Sequence, residues 1–270
     1  MLTLDRMELG DCFTPEELVD EIYRQCTDLS PPIPIDDIAR AAGIIAIEGI
    51  DTEDVEGMLV SDDGKDKGVI FYRQSSPPGR QRFTIGHELG HFLLLHHGAR
   101  QSCIASDIKT SSSAASDQDL EAEANRFAHL LLMPDRLIEA SLGDHKPSID
   151  LLREISCLFN MSFEAIANKC ASLSRQPFAL VYSRNNTVRY CWRDWYKFTH
   201  RIPLKGGDAL PFGSQAASVN GGEDTVSDCE LVDASVWLSD DRNGELPKEV
   251  CEQTFTQRNG FQVTMISLVD

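Results

Sequence analysis

The stretch of sequence that decides the fold is residues 83–95, Phe-Thr-Ile-Gly-His-Glu-Leu-Gly-His-Phe-Leu-Leu-Leu. Its near-continuous hydrophobicity is typical of a helix that is buried on all sides. The ionisable exceptions are His87, Glu88 and His91, and such side chains are costly to bury unless they bind a metal or form hydrogen bonds. The pattern therefore predicts a polar site inside a packed helix.

The residues His87-Glu88-x-x-His91 form a motif with a specific geometry. Two histidines four residues apart lie on the same face of a helix, close enough to bind one ion. Zinc suits such ligands and keeps a position open for water, from which Glu88 can take a proton as general base. The motif predicts metal-dependent hydrolysis of a carbonyl group. Alone it is only moderately specific, because it arises by chance in about one such chain in a hundred.

A third metal ligand is expected from residues 121–125, Glu-Ala-Glu-Ala-Asn, on a second helix. Glu121 and Asn125 are four residues apart and share a face. Glu121 is therefore the predicted third ligand, and Asn125 the predicted hydrogen-bond partner of a ligating histidine. Glu123 is the less favoured candidate, because it projects away from that face.

These motifs together resemble the ImmA/IrrE family of zinc peptidases. The resemblance covers about residues 34–133 and is strongest over 82–92, 121–128 and 131–134. It implies a compact gluzincin-like domain that binds one zinc ion through His87, His91 and Glu121, with Glu88 as the base. Manganese or iron can use the same ligands. Gly86 replaces the Ala that the family commonly has, which is expected to loosen the helix by up to about 1 kcal/mol.

The resemblance also implies a substrate, namely a helix-turn-helix repressor of the Xre type, cut at one peptide bond in stress response or mobile-element regulation. An oxyanion stabiliser remains open: His129 is the candidate carried forward, with Tyr72 and His145 as alternatives. His96 and His97 are interpreted as cations that cap the end of the metal-binding helix.

Composition narrows the partners and the compartment. The 270 residues carry a formal net charge of -18, and no compact run of Lys and Arg occurs, so direct nucleic-acid binding is not expected. No leader-like start and no apolar stretch of membrane-spanning length is visible, so we expect a cytoplasmic protein without membrane association. The eight scattered cysteines are expected to be reduced thiols.

The predicted architecture is α+β with two domains: a mainly helical metallopeptidase domain with a small antiparallel sheet over residues 1–174, and a β-rich domain over 175–270. Helices are predicted from Thr14 and over 36–42, 82–97, 117–133, 151–158 and 163–167. Strands are predicted at 44–47, 58–60 and 69–72, with hairpins over 178–192 and 250–268. Residues 101–117 are predicted to form a polar loop.

One alternative function stays open. The chain could be a non-catalytic, metal-containing regulatory protein whose C-terminal domain senses a signal or docks a partner through Tyr190, Trp192, Trp195 and Tyr196. For these four side chains, an aromatic core is the favoured interpretation. Glu88 favours catalysis, because a structural metal site gains nothing from a general base. A helix-turn-helix DNA-binding function for residues 151–173 is disfavoured by the acidic charge.

Overall fold

The computed structural model describes residues 2–97, 100–103, 115–218, 222–239 and 246–269. Two compact units are present, one formed by Met1–Leu137 with Cys157–Ser162 and the other by Ile138–Ser156 with Phe163–Asp270. The predicted boundary at Ser174 falls inside the second unit, because helical residues before it pack with the strands that follow. The split of function between 1–174 and 175–270 stays a prediction.

The first unit contains five helices among its described residues, and most of their ends follow from local sequence. Thr14 and Glu17 form the predicted capping box at the start of α2, and Gly43 takes the predicted left-handed conformation (φ 112°) after α3. The short helix α1 was not predicted. The five are α1 (Arg6–Gly10), α2 (Pro15–Gln25), α3 (Ile35–Ala41), α4 (Pro78–Leu93) and α5 (Ala115–Leu132).

A four-stranded sheet accompanies these helices, with strands in the order β1-β3-β2-β4. The strands are β1 (Ile44–Ile50), β2 (Gly57–Ser61), β3 (Gly68–Arg73) and β4 (Arg100–Cys103). The predicted antiparallel pairing is confirmed for β2 and β3, whereas β1, for which no partner was predicted, runs parallel to β3. β1 pairs with the edge of β3 that faces away from β2, and both β1 and β3 run opposite to β2.

Helix α4 is the centre of the first unit and packs against α3, α5, β2 and β3. Residues 83–93 are all buried, as their hydrophobicity predicted. Two glycines let α5 approach: a Cβ atom built on Gly90 would lie 3.0 Å from the Phe127 ring, and one on Gly86 would lie 3.2 Å from a Leu132 methyl. The helix begins and ends about four residues earlier than predicted.

Strand β4 corrects the predicted loop over 101–117 at its beginning, and α5 begins at Ala115, two residues before the predicted start. The central part of that predicted loop, 104–114, lies outside the described residues. None of the helices in the described ranges has the length and apolarity that crossing a membrane requires.

The second unit is built on an antiparallel sheet in the order β6-β5-β10-β9-β7, with β8 also pairing with β9. Both predicted hairpins are confirmed, and Asn185 and Asn186 turn the first one with φ of 49° and 59°. The strands are β5 (Phe178–Arg184), β6 (Thr187–Arg193), β7 (Thr225–Val226), β8 (Glu230–Asp233), β9 (Glu249–Thr256) and β10 (Phe261–Leu268). The helices are α6 (Asp135–Leu142), α7 (Ile149–Phe159), α8 (Phe163–Leu173) and α9 (Gln215–Ser218).

The β-rich unit contains a disulfide and a buried glutamate. Cys229 and Cys251 form a disulfide with their Cα atoms 6.0 Å apart, so the expectation that all cysteines are reduced is wrong for this pair. Glu252 is completely buried and accepts hydrogen bonds from Trp237 Nε1 at 2.8 Å and from the backbone amides of Ala216 at 2.7 Å and Gln215 at 3.1 Å. Burial raises the pKa of Glu252. These three donors satisfy a carboxylate in the core of the sheet.

Candidate metal centre

Helices α4 and α5 bring the three predicted ligands together. The Nε2 atoms of His87 and His91 lie 3.1 Å apart. Each also lies 3.2 Å from a different carboxylate oxygen of Glu121. Both histidines are completely buried, and Glu121 is only partly exposed. Packing of the two helices thus converges two nitrogens and a carboxylate on one point.

The spacing of these donor atoms fits a metal ion. Ligands bound tetrahedrally at about 2.0 Å lie about 3.3 Å from one another, and the observed separations of 3.1 and 3.2 Å are close to that value. Two imidazoles and a carboxylate are a donor set for a divalent transition metal. His87, His91 and Glu121 therefore fit the metal that the motif predicts.

The protonation states also suit metal binding. Burial lowers the pKa of His91 to about 4, so its imidazole is neutral at pH 7. Burial alone would raise the pKa of Glu121, but its contacts with the imidazoles of His87 and His91 hold it well below its usual value. Metal ligands must be neutral imidazoles and ionised carboxylates, and the pKa shifts of His91 and Glu121 favour these forms.

Asn125, the predicted hydrogen-bond partner of a ligating histidine, lies beside the His87 ring. Its Oδ1 is 3.2 Å from Nδ1 of His87, on the side of the ring away from Nε2. Such a contact makes Nδ1 the protonated nitrogen and leaves the Nε2 lone pair for an ion. Its predicted supporting position is thus compatible with the observed geometry.

Glu88 follows His87 on α4 and is completely buried. Its carboxylate lies against the start of β2, where a Cβ atom built on Gly57 would be 2.5 Å from Glu88 Oε1. Gly57 is thus needed for the observed position of this carboxylate, although the sequence analysis did not single it out. The signal was a glycine at the beginning of a strand, which often marks a close approach of another group.

A second group of polar side chains lies behind the ligands. The Nδ1 atoms of His91 and His97 are 2.7 Å apart, and Nε2 of His97 is 3.1 Å from Glu123 Oε2. Nε2 of His96 lies 2.6 Å from the same Glu123 oxygen. Burial lowers the pKa of His97 to about 4, so the prediction that it is a capping cation is wrong.

The cation that caps α4 is Lys65, from the turn between β2 and β3. Its Nζ donates hydrogen bonds to the backbone oxygens of His91 at 2.6 Å and Leu94 at 2.8 Å. Lys65 is 4% exposed, and burial lowers its pKa to about 8. These bonds satisfy carbonyls that a helix end leaves without partners. No signal in the sequence indicated this capping role, because Lys65 is 26 residues from His91.

The candidates for oxyanion stabilisation occupy different places. His129 is exposed on α5, with its ring centroid 4.9 Å from that of Phe83, and the Phe83 centroid is 6.5 Å from that of His87. Tyr72 is partly buried in β3 of the first unit. His145 is exposed in the second compact unit. The role of His129 stays a prediction.

Comparisons with known proteins concern both sequence and fold. Residues 43–171 match a peptidase-family model described as the IrrE N-terminal-like domain. No curated protein matches the sequence. A Mycobacterium tuberculosis transcriptional regulator of known structure has a TM-score of 0.55 and 14% identity, with 94% of this chain and 87% of that chain covered. At this identity the likeness concerns the fold alone.

Proposed function

We propose that the chain is a zinc-dependent endopeptidase, starting from the match of residues 43–171 to the IrrE N-terminal-like domain. The observation that carries the proposal is the convergence of His87, His91 and Glu121 within metal-ligand distance of one another. The resemblance of these motifs to zinc peptidases selects zinc among the divalent metals that such donors accept.

In this proposal each residue has a defined chemical task. His87, His91 and Glu121 hold one zinc ion, which supplies a Lewis acid for the peptide carbonyl and makes water more acidic. Glu88 takes a proton from the attacking water and delivers it to the departing amine. Asn125 fixes the orientation of the His87 ring. His129 is proposed to stabilise the negative charge that develops on the carbonyl oxygen.

We further propose that the substrate is a helix-turn-helix repressor of the Xre type, cut at one peptide bond. The motif resemblance supports this choice, and so does charge. The chain carries a net charge of -18, whereas DNA-binding proteins present basic surfaces. Opposite charges of this kind accelerate encounter between two proteins.

The test is to compare the unmodified protein with Glu88→Gln, which keeps the size of the side chain and removes the base. We expect about one zinc per chain in both, with cleavage of Xre-type repressors reduced at least about a hundredfold in the variant. Glu121→Gln is expected to weaken zinc binding, whereas Asp119→Asn on the exposed side of α5 serves as its matched control. Absence of bound metal in the unmodified protein would reject the proposal.

A second candidate function is partner docking by the β-rich unit. Trp195 and Tyr196 are 71% and 96% exposed, and the Arg193 guanidinium lies 3.9 Å from the Trp195 ring centroid. Exposed aromatic and arginine side chains are enriched at protein interfaces. If this is the function, Glu88→Gln retains regulatory activity in cells while a Trp195→Ser, Tyr196→Ser variant loses it. Phe212→Ser, which replaces another exposed aromatic side chain, is the control.

A further inference from the structure

The contact between His91 and His97 joins two nitrogens at 2.7 Å, so one of them donates a hydrogen and the other accepts it. His97 is buried, and its other nitrogen lies 3.1 Å from Glu123 Oε2. A continuous line of contacts therefore runs from the proposed ligand His91 through His97 to the carboxylate of Glu123. The proposed function assigns no task to His97 or Glu123.

The positions of the hydrogens along this line follow from the ligand role of His91. A neutral His91 that offers the Nε2 lone pair to an ion carries its hydrogen on Nδ1. The facing Nδ1 of His97 must then be the acceptor, so a neutral His97 carries its hydrogen on Nε2. That Nε2–H points at Glu123, which can only accept while ionised. Every nitrogen on this line thus has a partner of the correct type.

We propose that His97, oriented by Glu123, is a positioning residue that keeps the Nε2 lone pair of His91 directed at the metal. The inference rests on the proposed function, because it assigns the supporting contact of one of its ligands. It also gives His91 a counterpart to Asn125, which lies behind the other histidine. Such supporting contacts commonly change metal affinity by about 10- to 100-fold.

A competing interpretation is that His96, His97 and Glu123 bind a second ion, because their ligand atoms lie within 4.8 Å of one another. An ion on Nε2 of His97 would force the hydrogen of that neutral ring onto Nδ1. Nδ1 would then face the Nδ1–H of His91, which places two donors 2.7 Å apart. With neutral rings, the second site therefore opposes the first, and the positioning role is preferred.

The first test reads the tautomers directly in the unmodified protein. Nitrogen NMR of the zinc-loaded protein, labelled with ¹⁵N-histidine, is expected to show His91 protonated at Nδ1 and His97 protonated at Nε2. A hydrogen on Nδ1 of His97, or a metal-shifted Nε2 resonance of that ring, would overturn the inference. This arm requires no substitution and is therefore independent of any effect on folding.

The second test measures the zinc dissociation constant by competition with a chelator. His97→Phe is expected to weaken binding by about 10- to 100-fold, and His97→Gln by less, because its carbonyl oxygen can accept from Nδ1 of His91. His96→Gln is the matched control: it touches the same Glu123 oxygen but is partly exposed, and no described contact joins it to His91. It is expected to bind zinc within about threefold of the unmodified protein.

The outcomes separate the inference from the proposed function. If the unmodified protein binds zinc tightly and His97→Phe binds it equally well, the positioning role is rejected and the zinc site stands. Two zinc ions per chain, falling to one in His96→Gln, would establish the second site instead. If the unmodified protein binds no zinc, both the proposed function and the positioning role fail.

Discussion

Two buried imidazoles couple the stability of the metal-free protein to pH. The pKa values of His91 and His97 are about 4 in the folded state, against about 6.5 in an unfolded chain. The folded state therefore binds fewer protons, and the stability that these residues contribute is present above pH 6.5 and lost as the pH falls toward 4. Each contributes a slope of at most about 1.4 kcal/mol per pH unit.

We expect urea unfolding of the metal-free protein to give a lower free energy of unfolding at pH 5 than at pH 7. His97→Gln removes one of the two titrating groups and should have roughly half of this pH dependence. The change in net charge affects both proteins alike, so the difference between them isolates the histidine. Equal slopes in the two proteins would contradict the prediction.

Gly57 controls the position of the proposed base. In Gly57→Ala the new Cβ atom would lie 2.5 Å from both Glu88 Oε1 and Thr84 Cγ2, so the carboxylate must move. A displacement of about 1 Å in a catalytic group can cost about a hundredfold in rate. We expect peptidase activity to fall at least about tenfold while the zinc content, measured by elemental analysis, is unchanged.

The control for Gly57→Ala is Gly49→Ala in β1. Its Cβ atom would lie 3.2 Å from Gln74 Cβ and 3.4 Å from Tyr72 Cζ, so the neighbours need to shift by only a few tenths of an ångström and Glu88 is not one of them. This variant is expected to retain full activity. A fully active Gly57→Ala protein would mean that the position of Glu88 observed here is not required for catalysis.

At the scale of elements, the close approach of α4 and α5 limits which glycines can be replaced. Alanine favours a helix by up to about 1 kcal/mol over glycine. At Gly90, however, the Cβ atom would be 3.0 Å from the buried Phe127 ring and 3.3 Å from the Ala124 backbone. Overpacking of this kind costs about 1–3 kcal/mol, so Gly90→Ala is expected to lower the free energy of unfolding.

Gly86→Ala is the matched comparison on the same face of α4. The atom nearest to its Cβ would be a Leu132 methyl at 3.2 Å. This methyl group can move more easily than the Phe127 ring and the Ala124 backbone beside Gly90. We expect chemical denaturation to place this variant within about 1 kcal/mol of the unmodified protein. The interpretation of helix packing is wrong if Gly86→Ala is the more destabilised of the two.

The elements that could be predicted are those specified by neighbouring residues. The capping box of α2, the terminating Gly43 and the Asn185-Asn186 turn are local, and the structure confirms them. Helical spacing also fixed which side chains share a face, His87 with His91 on one helix and Glu121 with Asn125 on the other. These predictions depend on contacts within one or two turns of the chain.

The features that could not be predicted depend on distant partners. The parallel direction of β1 is set by its choice of β3 rather than β2. The end of α4 is set by Lys65, and the neutral state of His97 is set by burial beside His91. Glu123 was correctly predicted to lie off the helix face that carries Glu121. Its contacts with His96 and His97, however, arise only when α5 packs on α4.

At the scale of the whole molecule, the division into two compact units predicts that a destabilising substitution in the β-rich unit leaves metal binding by the first unit unchanged. Glu252→Gln removes one acceptor oxygen from a buried group that satisfies three donors, and such a loss costs about 1–3 kcal/mol. We expect the thermal stability of the β-rich unit to fall while zinc affinity, measured by chelator competition, is unchanged.

Glu249→Gln on the same strand is the control, because Glu249 is exposed and its replacement removes no buried acceptor. It should unfold like the unmodified protein. A loss of zinc affinity in Glu252→Gln, without a matching loss in Glu249→Gln, would contradict the expected independence of the proposed zinc site.

Lys65 gives α4 a chemical reporter of its own motion. Burial lowers the pKa of its amine to about 8 only while the amine is held in place, so once exposed it reacts as an ordinary lysine does. Yet it is 4% exposed while it holds the His91 and Leu94 carbonyls, and an acylating reagent reaches it only when those bonds open. The rate of labelling at Lys65, relative to exposed lysines, therefore measures how often this end of the helix opens. The same opening breaks the hydrogen bond to the His91 carbonyl.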